Sequence, residues 1–505
     1  MKIAFFLDMA KELGGAGNLL LQQAVLMSEI HDVIVVIPTD ENGVPNQEYA
    51  ERCRANQVPY IGLYYRTAFN FRNIDLYGAI ESADAVEEFT KRERIDFFHS
   101  VQLNAAVEYV SRKQGIPHLM NIYQLSEEEF SLCPGDIYAH YHLCDSQLYS
   151  NRWKRKLGIE SMALRPVAPL KEMKLKDRYT YGSIKILMLG DVNKRKNQVA
   201  AIRSVEKCVK GLDHEIELHI AGYNSGPYAD ECVQYVREHS LDNIVFFHGF
   251  LSDVVPMLEC CDCLLCTSID ESFPSSMVEA LTYDLTIIST PVAGVPEVFI
   301  DEDNAFISMD FSEESIIESL LKCLEYYKNG KISEIHSSAA KTWRKCFKRE
   351  SIKNSLDLYY KRIERNYKQG DAKIFELLLK DLIEVKELLS GIKGVSEHWI
   401  YAKGLYLLTI KNMLSRGEIY IWGAGNWGKL TMDILMKLCP DLKIVAFIDI
   451  SKEGMISGIP IIKPNEVIYG QSLYYSVSFN SGREQAIDYL ENRGLVLYKQ
   501  VWIIP

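Results

Sequence analysis

The sequence lacks the features that mark three classes of protein. It has no run of the ~18 apolar residues that a membrane-spanning helix needs, and its opening MKIAFFLDMAKELGG becomes charged too early for a signal peptide. Its net charge is −12, whereas nucleic-acid binders usually carry a basic field. Its 12 cysteines are scattered without a disulfide framework. We therefore expect a globular protein of the reducing cytoplasm that binds no nucleic acid.

One cluster of cysteines, CCDCLLC, resembles a metal site at first sight. Its members are Cys260, Cys261, Cys263 and Cys266. Their spacing alternates between the two faces of a strand, and no second Cys or His pair follows at zinc spacing. We expect these thiols to be small buried packing groups and no metal to be bound.

What the chain does contain is one pattern three times. A β-rich apolar run, a glycine-rich or turn-rich bend and a helical pattern follow one another from Lys2, from Ile184 and from Glu418. Because strands that alternate with helices favour parallel sheets, we predict an α/β protein with three doubly wound units. The predicted divisions are 1–172, 173–365, a helical connector over 366–415, and 416–505.

A basic segment leads into the connector. Residues 341–368 hold ten lysines and arginines against three acidic residues, interrupted by apolar and aromatic positions. One interpretation is an amphipathic helix packed on a domain, with a solvated basic face. The other is a basic face that contacts anionic lipid. The interrupting residues are Trp343, Phe347, Leu356, Tyr359 and Tyr360.

The second unit places charged residues in the loops after its strands. The loop LGDVNKRKNQ delivers Lys196 ahead of a helix, and IDESFPSSMVEAL places Glu271 and Glu279 around a turn. Such loops share one edge of a parallel sheet, where ligands bind. A lysine and a helix N-terminus favour a diphosphate, and carboxylates favour hydroxyl-rich groups. The combination predicts a nucleotide-sugar site.

A purely structural role for Glu279 competes with this prediction. Ser276 and Glu279 have the spacing of a capping box, in which each side chain satisfies a backbone N–H group at the helix start. On this interpretation Glu271 is a solvated loop residue.

Four motifs add a family resemblance. In chain order they are GGAG at residues 14–17, Lys196 with Asn197, the E-x7-E element from Glu271 to Glu279, and AGVPE at residues 293–297. With these motifs, residues 1 to about 365 resemble a family 4 glycosyltransferase of the GT-B fold, in which two Rossmann-like domains face a cleft. The third unit would then be an additional small Rossmann-like domain.

The resemblance implies a retaining transfer of a hexose from a nucleotide-sugar donor to a glycan or lipid-linked acceptor, in bacterial surface polysaccharide synthesis. It implies no metal and no required cofactor. Glu271 and Lys196 would be the catalytic residues. The implied donor contacts are Gly15, Lys196, Asn197, Gly249, Phe250, Leu251, Glu271, Phe273, Pro274, Ser275 and Glu279.

One departure from the family pattern concerns turnover. Asp191 stands where the family commonly has an arginine, and Lys194 or Arg195 is a candidate to supply the missing charge. Two alternatives therefore stay open. One is a GT-B epimerase that acts on its nucleotide sugar without an acceptor, and the other is a non-catalytic donor-binding partner subunit.

A second departure concerns the acceptor side. The family usually places a histidine near the reacting sugar, and the matching position here is Tyr123. His99 and His118 lie at nearby strand positions. His99 and Tyr123 are the candidate acceptor contacts, and packing at a strand end is the competing role for the histidines.

The third unit opens with IYIWGAGNWGK. Gly423, Gly425 and Gly428 follow a predicted strand, and Asp449 ends the next strand. This is a dinucleotide fingerprint, although the glycines could serve the turn alone. The unit also resembles small Rossmann-like modules attached to bacterial sugar-modifying enzymes. We expect a candidate nucleotide site and an oligomer contact here, and no hydride transfer.

Overall fold

The computed structural model describes most of the chain. The segment between the first two predicted units, residues 169–182, is described only at Met173 and Leu175. The predicted boundary at residue 172 therefore stays a prediction. The described residues are 1–8, 15–40, 42–66, 76–123, 137–168, 173, 175, 183–211, 216–392, 400, 403–404, 407–408, 411, 414, 417–467, 469, 473–477, 483–496 and 499–503.

The first unit is a parallel sheet with helices on its faces. Its strands are β1 (Lys2–Phe6), β2 (Asp32–Pro38), β3 (Tyr60–Leu63), β4 (Phe97–Val101), β5 (His118–Asn121), β6 (Tyr141–Cys144) and β7 (Glu160–Ala163). They pair in parallel in the order β3-β2-β1-β4-β5-β6-β7. The central strand KIAFF is apolar on both faces because both faces are covered. The helices are α1 (Gly15–Met27), α2 (Gln47–Ala55), α3 (Leu76–Glu93), α4 (Ala105–Gln114) and α5 (Gln147–Leu157).

The second unit repeats this architecture. Its strands are β8 (Ile184–Leu189), β9 (Ile216–Ala221), β10 (Val245–Gly249), β11 (Cys263–Cys266), β12 (Thr286–Ser289) and β13 (Phe306–Ile307). They pair in parallel in the order β10-β9-β8-β11-β12-β13. The helices are α6 (Gln198–Gly211), α7 (Pro227–Glu238), α8 (Val255–Cys260), α9 (Ser275–Thr282), α10 (Glu313–Lys328) and α11 (Ile332–Cys346).

Helix α12 (Arg349–Asn366) lies against the first unit. Its apolar side chains share a buried cluster with β1 and α1, and its Tyr360 hydroxyl bonds His99 Nδ1 at 2.6 Å. The five apolar and aromatic residues that interrupt the basic segment 341–368 are all buried. The segment is therefore an amphipathic pair of helices whose apolar side is used in packing.

The third unit is a mixed sheet. Its elements are β14 (Glu418–Trp422), α14 (Asn426–Leu438), β15 (Lys443–Ile448), β16 (Gly454–Ile456), β17 (Ile459–Ile462), β18 (Leu473–Val477), α15 (Arg483–Glu491) and β19 (Val501–Ile503), with α13 (Lys373–Leu389) in the connector. The strand order is β16-β17-β15-β14-β18-β19, with only the β16–β17 pair antiparallel among the described strands. Apolar residues of α13 join this unit and the first unit in one cluster. Three sheet-based α/β units are thus present, which confirms the predicted fold class.

The fold bears on two features of the composition, the lack of long apolar runs and the cluster of cysteines. Within the described part of the chain, no helix combines the length and apolar character needed to cross a bilayer. In the cysteine cluster, Cys261, Cys263 and Cys266 are buried and Cys260 is exposed. Cys263 lies 3.9 Å, sulfur to sulfur, from Cys323. The three buried thiols are packing groups, as the alternating pattern predicts.

Candidate functional site

The loop between β8 and α6 holds Lys196 at the carboxyl edge of the second sheet. Gly190, which follows β8, has a φ of 133°, and a Cβ there would lie 3.2 Å from Lys196 Cε. The glycine therefore leaves the path of the lysine stem open. Asn197 has a φ of 56°, a left-handed conformation in which Asn is enriched. Thr267 Oγ1 donates to the carbonyl oxygens of Lys196 and Asn197 and ties this loop to the end of β11.

Two cationic side chains of this loop form ion pairs with Glu271. Lys196 Nζ lies 2.5 Å and Arg195 Nη1 lies 2.6 Å from the same oxygen, Glu271 Oε1. Glu271 is 9% exposed, so this pairing is screened less by water than a surface ion pair. We call Arg195, Lys196 and Glu271 the cationic triad, because two positive charges face one negative charge. The structure brings together the predicted lysine and the first predicted glutamate, and it adds Arg195.

Asp191 has a role within the loops. Its Oδ1 accepts a hydrogen bond from the Tyr223 N–H at 3.3 Å, and its carbonyl oxygen accepts one from Gln198 Nε2 at 3.0 Å. The aspartate thus joins the loops after β8 and β9. Of the two candidates for the missing charge, Arg195 is the one whose cation reaches Glu271.

The capping-box prediction for Ser276 and Glu279 is wrong. Helix α9 begins at Ser275, has Pro274 as its N-cap residue, and has no side-chain hydrogen bond at the cap. Ser276 already lies inside the first turn, so its hydroxyl does not precede the free N–H groups as a capping serine must. Glu279 is therefore not held by the cap.

Glu279 faces a cation of the first unit. Burial raises the pKa of the Glu279 carboxyl, and the nearby Arg52 guanidinium acts in the opposite direction. Arg52 is on α2 and donates to Asn18 Oδ1 at 2.9 Å. Arg52 could not be predicted from the sequence, because it is separated from Glu279 by more than 200 residues.

The remaining predicted contacts in the loop before α9 differ in what they expose. Phe273 is buried, and its ring packs near Phe299 and Phe347. Pro274 is buried and Ser275 is half-buried. Because its ring is buried, Phe273 can contribute only its backbone groups to a ligand site at this loop. The resemblance to family 4 glycosyltransferases implies a donor contact at this residue.

An exposed aromatic pair lies at the rim of the second unit. The rings of Tyr223 and Phe250 stack with their centroids 4.6 Å apart and their planes 11° apart, although the two residues are 58% and 52% exposed. Gly249, with a φ of 66°, turns the chain just before Phe250, and Leu251 follows. Stacked rings left in solvent are a platform for another flat group. Tyr223 was missed by the sequence analysis.

Glu297 of the AGVPE turn connects the two units. Its carboxylate oxygens accept hydrogen bonds from the N–H groups of Gln147 and Leu148 at 2.9 and 3.0 Å. Arg165 Nη2 lies 2.6 Å from Glu297 Oε2. A side chain of the second unit thus binds the N-terminus of α5 in the first unit, where a carboxylate is favoured by the helix dipole.

Two buried carboxyls lie at strand ends of the first unit. Burial raises the pKa of Asp8, which follows β1, to about 7 in spite of a backbone hydrogen bond. Burial likewise raises the pKa of Asp145, which follows β6, to about 7. Asp145 accepts a hydrogen bond from the Ser272 hydroxyl, next to the cationic triad. Neither carboxyl was singled out from the sequence.

The described part of the N-terminal GGAG motif begins α1. A Cβ on Gly17 would lie 2.0 Å from the Tyr49 hydroxyl, so this glycine is required by packing. Gly15, the predicted diphosphate contact, has no atom of the described residues within 4 Å of its Cβ position. Gly14 lies outside the described residues.

The structure places His99, one of the two predicted acceptor contacts, inside the first unit. His99 is completely buried, and its two ring nitrogens bond the Tyr360 hydroxyl and Asn121 Oδ1 at 2.6 and 2.7 Å. Burial lowers the pKa of His99 to about 3, so the ring is neutral. It is a packing residue that joins β4 to α12.

The neighbouring candidates are also inside the unit. His118 bonds Ser100 Oγ and Glu108 Oε2, each at 2.7 Å. Tyr123 is 8% exposed, and its hydroxyl accepts a hydrogen bond from Asn121 Nδ2 at 3.1 Å. An acceptor contact at Tyr123 stays a prediction.

The glycine motif of the third unit lies between β14 and α14, as predicted. Gly423 has a φ of 104°, and a Cβ on Gly428 would lie 1.9 Å from the Gly423 carbonyl oxygen. These two glycines are therefore needed for the turn itself. Burial acts to raise the pKa of Asp449, but hydrogen bonds from the N–H groups of Ala424, Lys452 and Ser451 outweigh burial and lower it to about 2.

Solved structures share the architecture of the first two units. The Anabaena protein Alr3699/HepE, in a complex with UDP, is 15% identical, with a TM-score of 0.58 that covers 72% of this chain and 100% of that chain. A glycosyltransferase from Rickettsia africae is 14% identical, with a TM-score of 0.58 over 72% of this chain and 99% of that chain. The chain therefore has the GT-B fold of glycosyltransferases, with a third sheet unit at its C-terminal end.

The family model matches the second unit of the chain. Residues 176–342 match the family model of glycosyl transferases group 1. An N-acetylgalactosaminyltransferase of Campylobacter jejuni, whose name gives a diphospho-undecaprenol-linked sugar as acceptor, is 26% identical over 184 residues, 36% of this chain and 46% of that protein. The N-acetyl-alpha-D-glucosaminyl L-malate synthase of Bacillus anthracis is 23% identical over 200 residues, 39% of this chain and 50% of that protein. The chain spans about half the length of the curated relatives it matches.

Proposed function

We propose that this protein is a retaining family 4 glycosyltransferase that moves a hexose from a nucleotide sugar to a glycan or lipid-linked acceptor. The observation that carries the proposal is the cationic triad at the carboxyl edge of the second sheet. It lies inside the stretch 176–342 that matches group 1 glycosyl transferases. Ligands of open α/β sheets bind at this edge.

The triad is suited to a sugar diphosphate. Lys196 and Arg195 would bind the diphosphate and offset the charge that develops as the bond from the anomeric carbon to the diphosphate oxygen breaks. Glu271 would then accept hydrogen bonds from hexose hydroxyls. The new bond to the acceptor oxygen forms on the same face of the sugar, and the proton of the acceptor hydroxyl passes to the departing diphosphate oxygen. Because two cations already serve the leaving group, we propose that the transfer needs no metal.

The nucleoside would extend from the triad toward the rim of the second unit. Glu279, at α9, would accept hydrogen bonds from the ribose hydroxyls, with Arg52 beside it. The exposed pair of Tyr223 and Phe250 would stack on the base, supported by the turn at Gly249. Base stacking on aromatic side chains tolerates any base, so the pair does not choose among them.

The acceptor is proposed from the relatives. The Campylobacter jejuni relative acts, by its name, on a sugar linked to diphospho-undecaprenol, and a lipid-linked acceptor would place the reaction at the inner face of a membrane. The basic face of α11 and α12, whose apolar side is already buried, would contact anionic headgroups there. We propose a role in bacterial surface polysaccharide synthesis.

A panel of nucleotide sugars tests the proposal. UDP-glucose comes first, because UDP and UDP-glucose are bound in the similar Anabaena structures. The purified protein is incubated with each sugar, with and without an acceptor and with and without a chelator, and the products are identified by mass spectrometry and NMR. Transfer that survives the chelator and keeps the anomeric configuration is expected.

Other outcomes identify the alternatives. An epimer that forms without an acceptor would make the protein an epimerase. Tight donor binding with neither transfer nor slow hydrolysis would make it a donor-binding partner subunit. Absence of binding for every sugar in the panel would contradict a nucleotide-sugar site.

A further inference from the structure

The third unit contains a cavity of about 490 Å³ at the carboxyl edge of its own sheet. Its walls come from the ends of β14 and β15, from Pro464 and from α15. They include Trp422, Gly425, Ile450, Ala486 and Tyr489, and they are mostly apolar. The volume falls in the range of pockets that hold small organic ligands. The cationic triad lies at the edge of the second sheet, so this cavity is a different site from the proposed transferase site.

One end of the cavity has an aromatic wall. The rings of Trp422 and Tyr489 meet at 71° with their centroids 5.6 Å apart. The Arg493 guanidinium lies 3.5 Å from the centre of the Tyr489 ring, and the Tyr489 hydroxyl donates to the Pro464 carbonyl oxygen at 3.4 Å. Tyr489 is thus held in place by its neighbours. A wall of fixed rings favours a flat, largely apolar group such as a nucleobase.

The lining of the cavity also offers a hydrogen-bond acceptor for hydroxyl groups. Asp449 Oδ1 accepts from the N–H groups of Ser451 and Lys452 and from the Ser451 hydroxyl, each at 2.9 Å. Its Oδ2 accepts, among the described residues, one hydrogen bond, from the Ala424 N–H at 2.9 Å. A carboxylate oxygen has a second lone pair. Oδ2 can therefore hold the glycine loop and accept a ribose hydroxyl as well.

The part of the lining formed by Lys452 and the start of α14 favours an anion. Lys452 Nζ donates to the Ala424 carbonyl oxygen at 3.1 Å and lies 3.9 Å from the Cβ position of Gly425. Helix α14 starts at Asn426, and none of the described side chains caps it. A lysine charge beside the N-terminus of a helix is a favourable place for a phosphate.

The three glycines of the motif distinguish a role in ligand binding from a purely steric role in the turn. Gly423 and Gly428 have a steric reason within the turn, as described above. Among the described residues Gly425 has no such reason, because its φ is −89° and the nearest described atom to its Cβ position, Lys452 Nζ, is 3.9 Å away. The backbone of Gly425 therefore borders the cavity without a described side chain against it.

We propose that this cavity binds one nucleotide, independently of the transferase site. The base lies against Trp422 and Tyr489, the ribose at Asp449, and the phosphates between Lys452 and the start of α14. Each of the three parts of a nucleotide thus has a matching group in the lining of the cavity. The described lining offers one aromatic wall and one cationic group, which corresponds to a single nucleotide rather than to a dinucleotide.

The test uses the full-length protein with its first site disabled. Uridine, adenosine, guanosine and cytidine diphosphates and NAD are titrated calorimetrically into the Lys196→Ala/Glu279→Ala variant. At least one of the diphosphates is expected to bind at one molecule per chain. Because the variant lacks the donor contacts, this result does not depend on the proposed transferase activity.

Two further variants place the site. In that background, Gly425→Ala is expected to weaken the binding at least tenfold at an unchanged melting temperature. Ala486→Met, which fills the cavity from α15 with a good helix former, is expected to do the same. In the wild-type background both variants keep the donor affinity of the transferase site.

Three results would overturn the proposal. One is that no diphosphate binds the Lys196→Ala/Glu279→Ala variant. Another is that the residual binding survives both Gly425→Ala and Ala486→Met. The third is that NAD binds while no diphosphate does, because the site would then be a dinucleotide site.

Discussion

At the scale of single residues, the cationic triad brings two cations and one carboxylate together at one point of the second unit. Lys196, Arg195 and Glu271 come from two loops about 75 residues apart in the chain, and both loops end at the same edge of a parallel sheet. The topology therefore determines which charges meet, and the loop sequences determine what they can bind. The three predictions at this scale each change one charged side chain.

Removing the lysine of the triad should weaken donor binding. Lys196→Ala is expected to raise the Kd for the nucleotide sugar at least tenfold, since a charge-assisted hydrogen bond is worth about 1.5–3 kcal/mol. Lys194→Ala is the matched control, because Lys194 makes the same charge change in the same loop but is exposed. Calorimetric titration measures both. Equal losses in the two variants would mean that only the overall charge matters.

Removing the second glutamate should affect the ribose rather than the diphosphate. If Glu279 accepts a ribose hydroxyl, the wild type should bind UDP more tightly than 2′-deoxy-UDP, and Glu279→Ala should reduce that preference to about twofold or less. Lys196→Ala should weaken the binding of both UDP and 2′-deoxy-UDP and keep the preference between them, because Lys196 is proposed to contact the diphosphate. A preference that persists in Glu279→Ala would rule out this ribose contact.

The buried carboxyl Asp8 should make stability fall as the pH rises. The folded protein keeps the proton of Asp8 up to a pH of about 7, whereas the unfolded chain releases it near 4. Its contribution to stability is fully present below the unfolded pKa and is lost as the pH rises through the folded pKa. Between pH 5 and pH 8 this loss is on the order of 3 kcal/mol.

Asp8→Asn should remove this dependence. Its melting temperature is expected to fall less than that of the wild type between pH 5 and pH 8, when both are measured by calorimetry. Asp32→Asn, which changes an exposed carboxyl, should follow the wild type. Parallel curves for Asp8→Asn and wild type would show that Asp8 is already ionised in the fold.

At the scale of elements, helix ends and tight turns connect parts that are distant in sequence. Glu297 of the second unit binds the first N–H groups of α5 in the first unit. The AGVPE motif was recognised from sequence, but its partner was not, because nothing local in α5 indicates a cap that comes from 150 residues away. By contrast, the turn between β14 and α14 was predicted from sequence, since its glycines act on one another.

The two glycines of that turn should respond differently to a methyl group. Gly428→Ala places a Cβ against the Gly423 carbonyl oxygen and is expected to destabilise the third unit by roughly 1–3 kcal/mol. Gly425→Ala meets no such contact, and a change within about 0.5 kcal/mol is expected. Urea unfolding followed by tryptophan fluorescence compares the two. Equal stability of both variants would contradict the described turn.

At the scale of the whole molecule, the third unit is joined to the first. Phe375, Leu378, Val385 and Leu389 of α13 belong to one buried cluster with residues of α14 and of the first unit. The sequence indicated a helical connector but not that its apolar face would be covered on two sides. The cationic triad lies in the second unit.

Deleting the third unit should therefore separate binding from assembly. A chain that ends at residue 416 is expected to keep its donor affinity within about twofold, because the donor residues all precede residue 300. Uncovering the apolar side of α13 should make the shortened chain self-associate. Light scattering and calorimetric titration measure the two properties. Donor binding that disappears with the third unit would show that the units are coupled more closely than their contacts indicate.

The elements and the loop chemistry of this protein follow from local sequence. Apolar periodicity and glycine turns act over a few residues, so three sheet units and the residues Lys196, Glu271 and Gly425 could be predicted directly. The pairing of distant groups depends on the folded chain: Arg195 contacts Glu271, Arg52 lies beside Glu279, Tyr223 stacks on Phe250, and His99 is buried against α12. Burial and pairing depend on how whole units pack, and a local pattern contains no record of a partner hundreds of residues away.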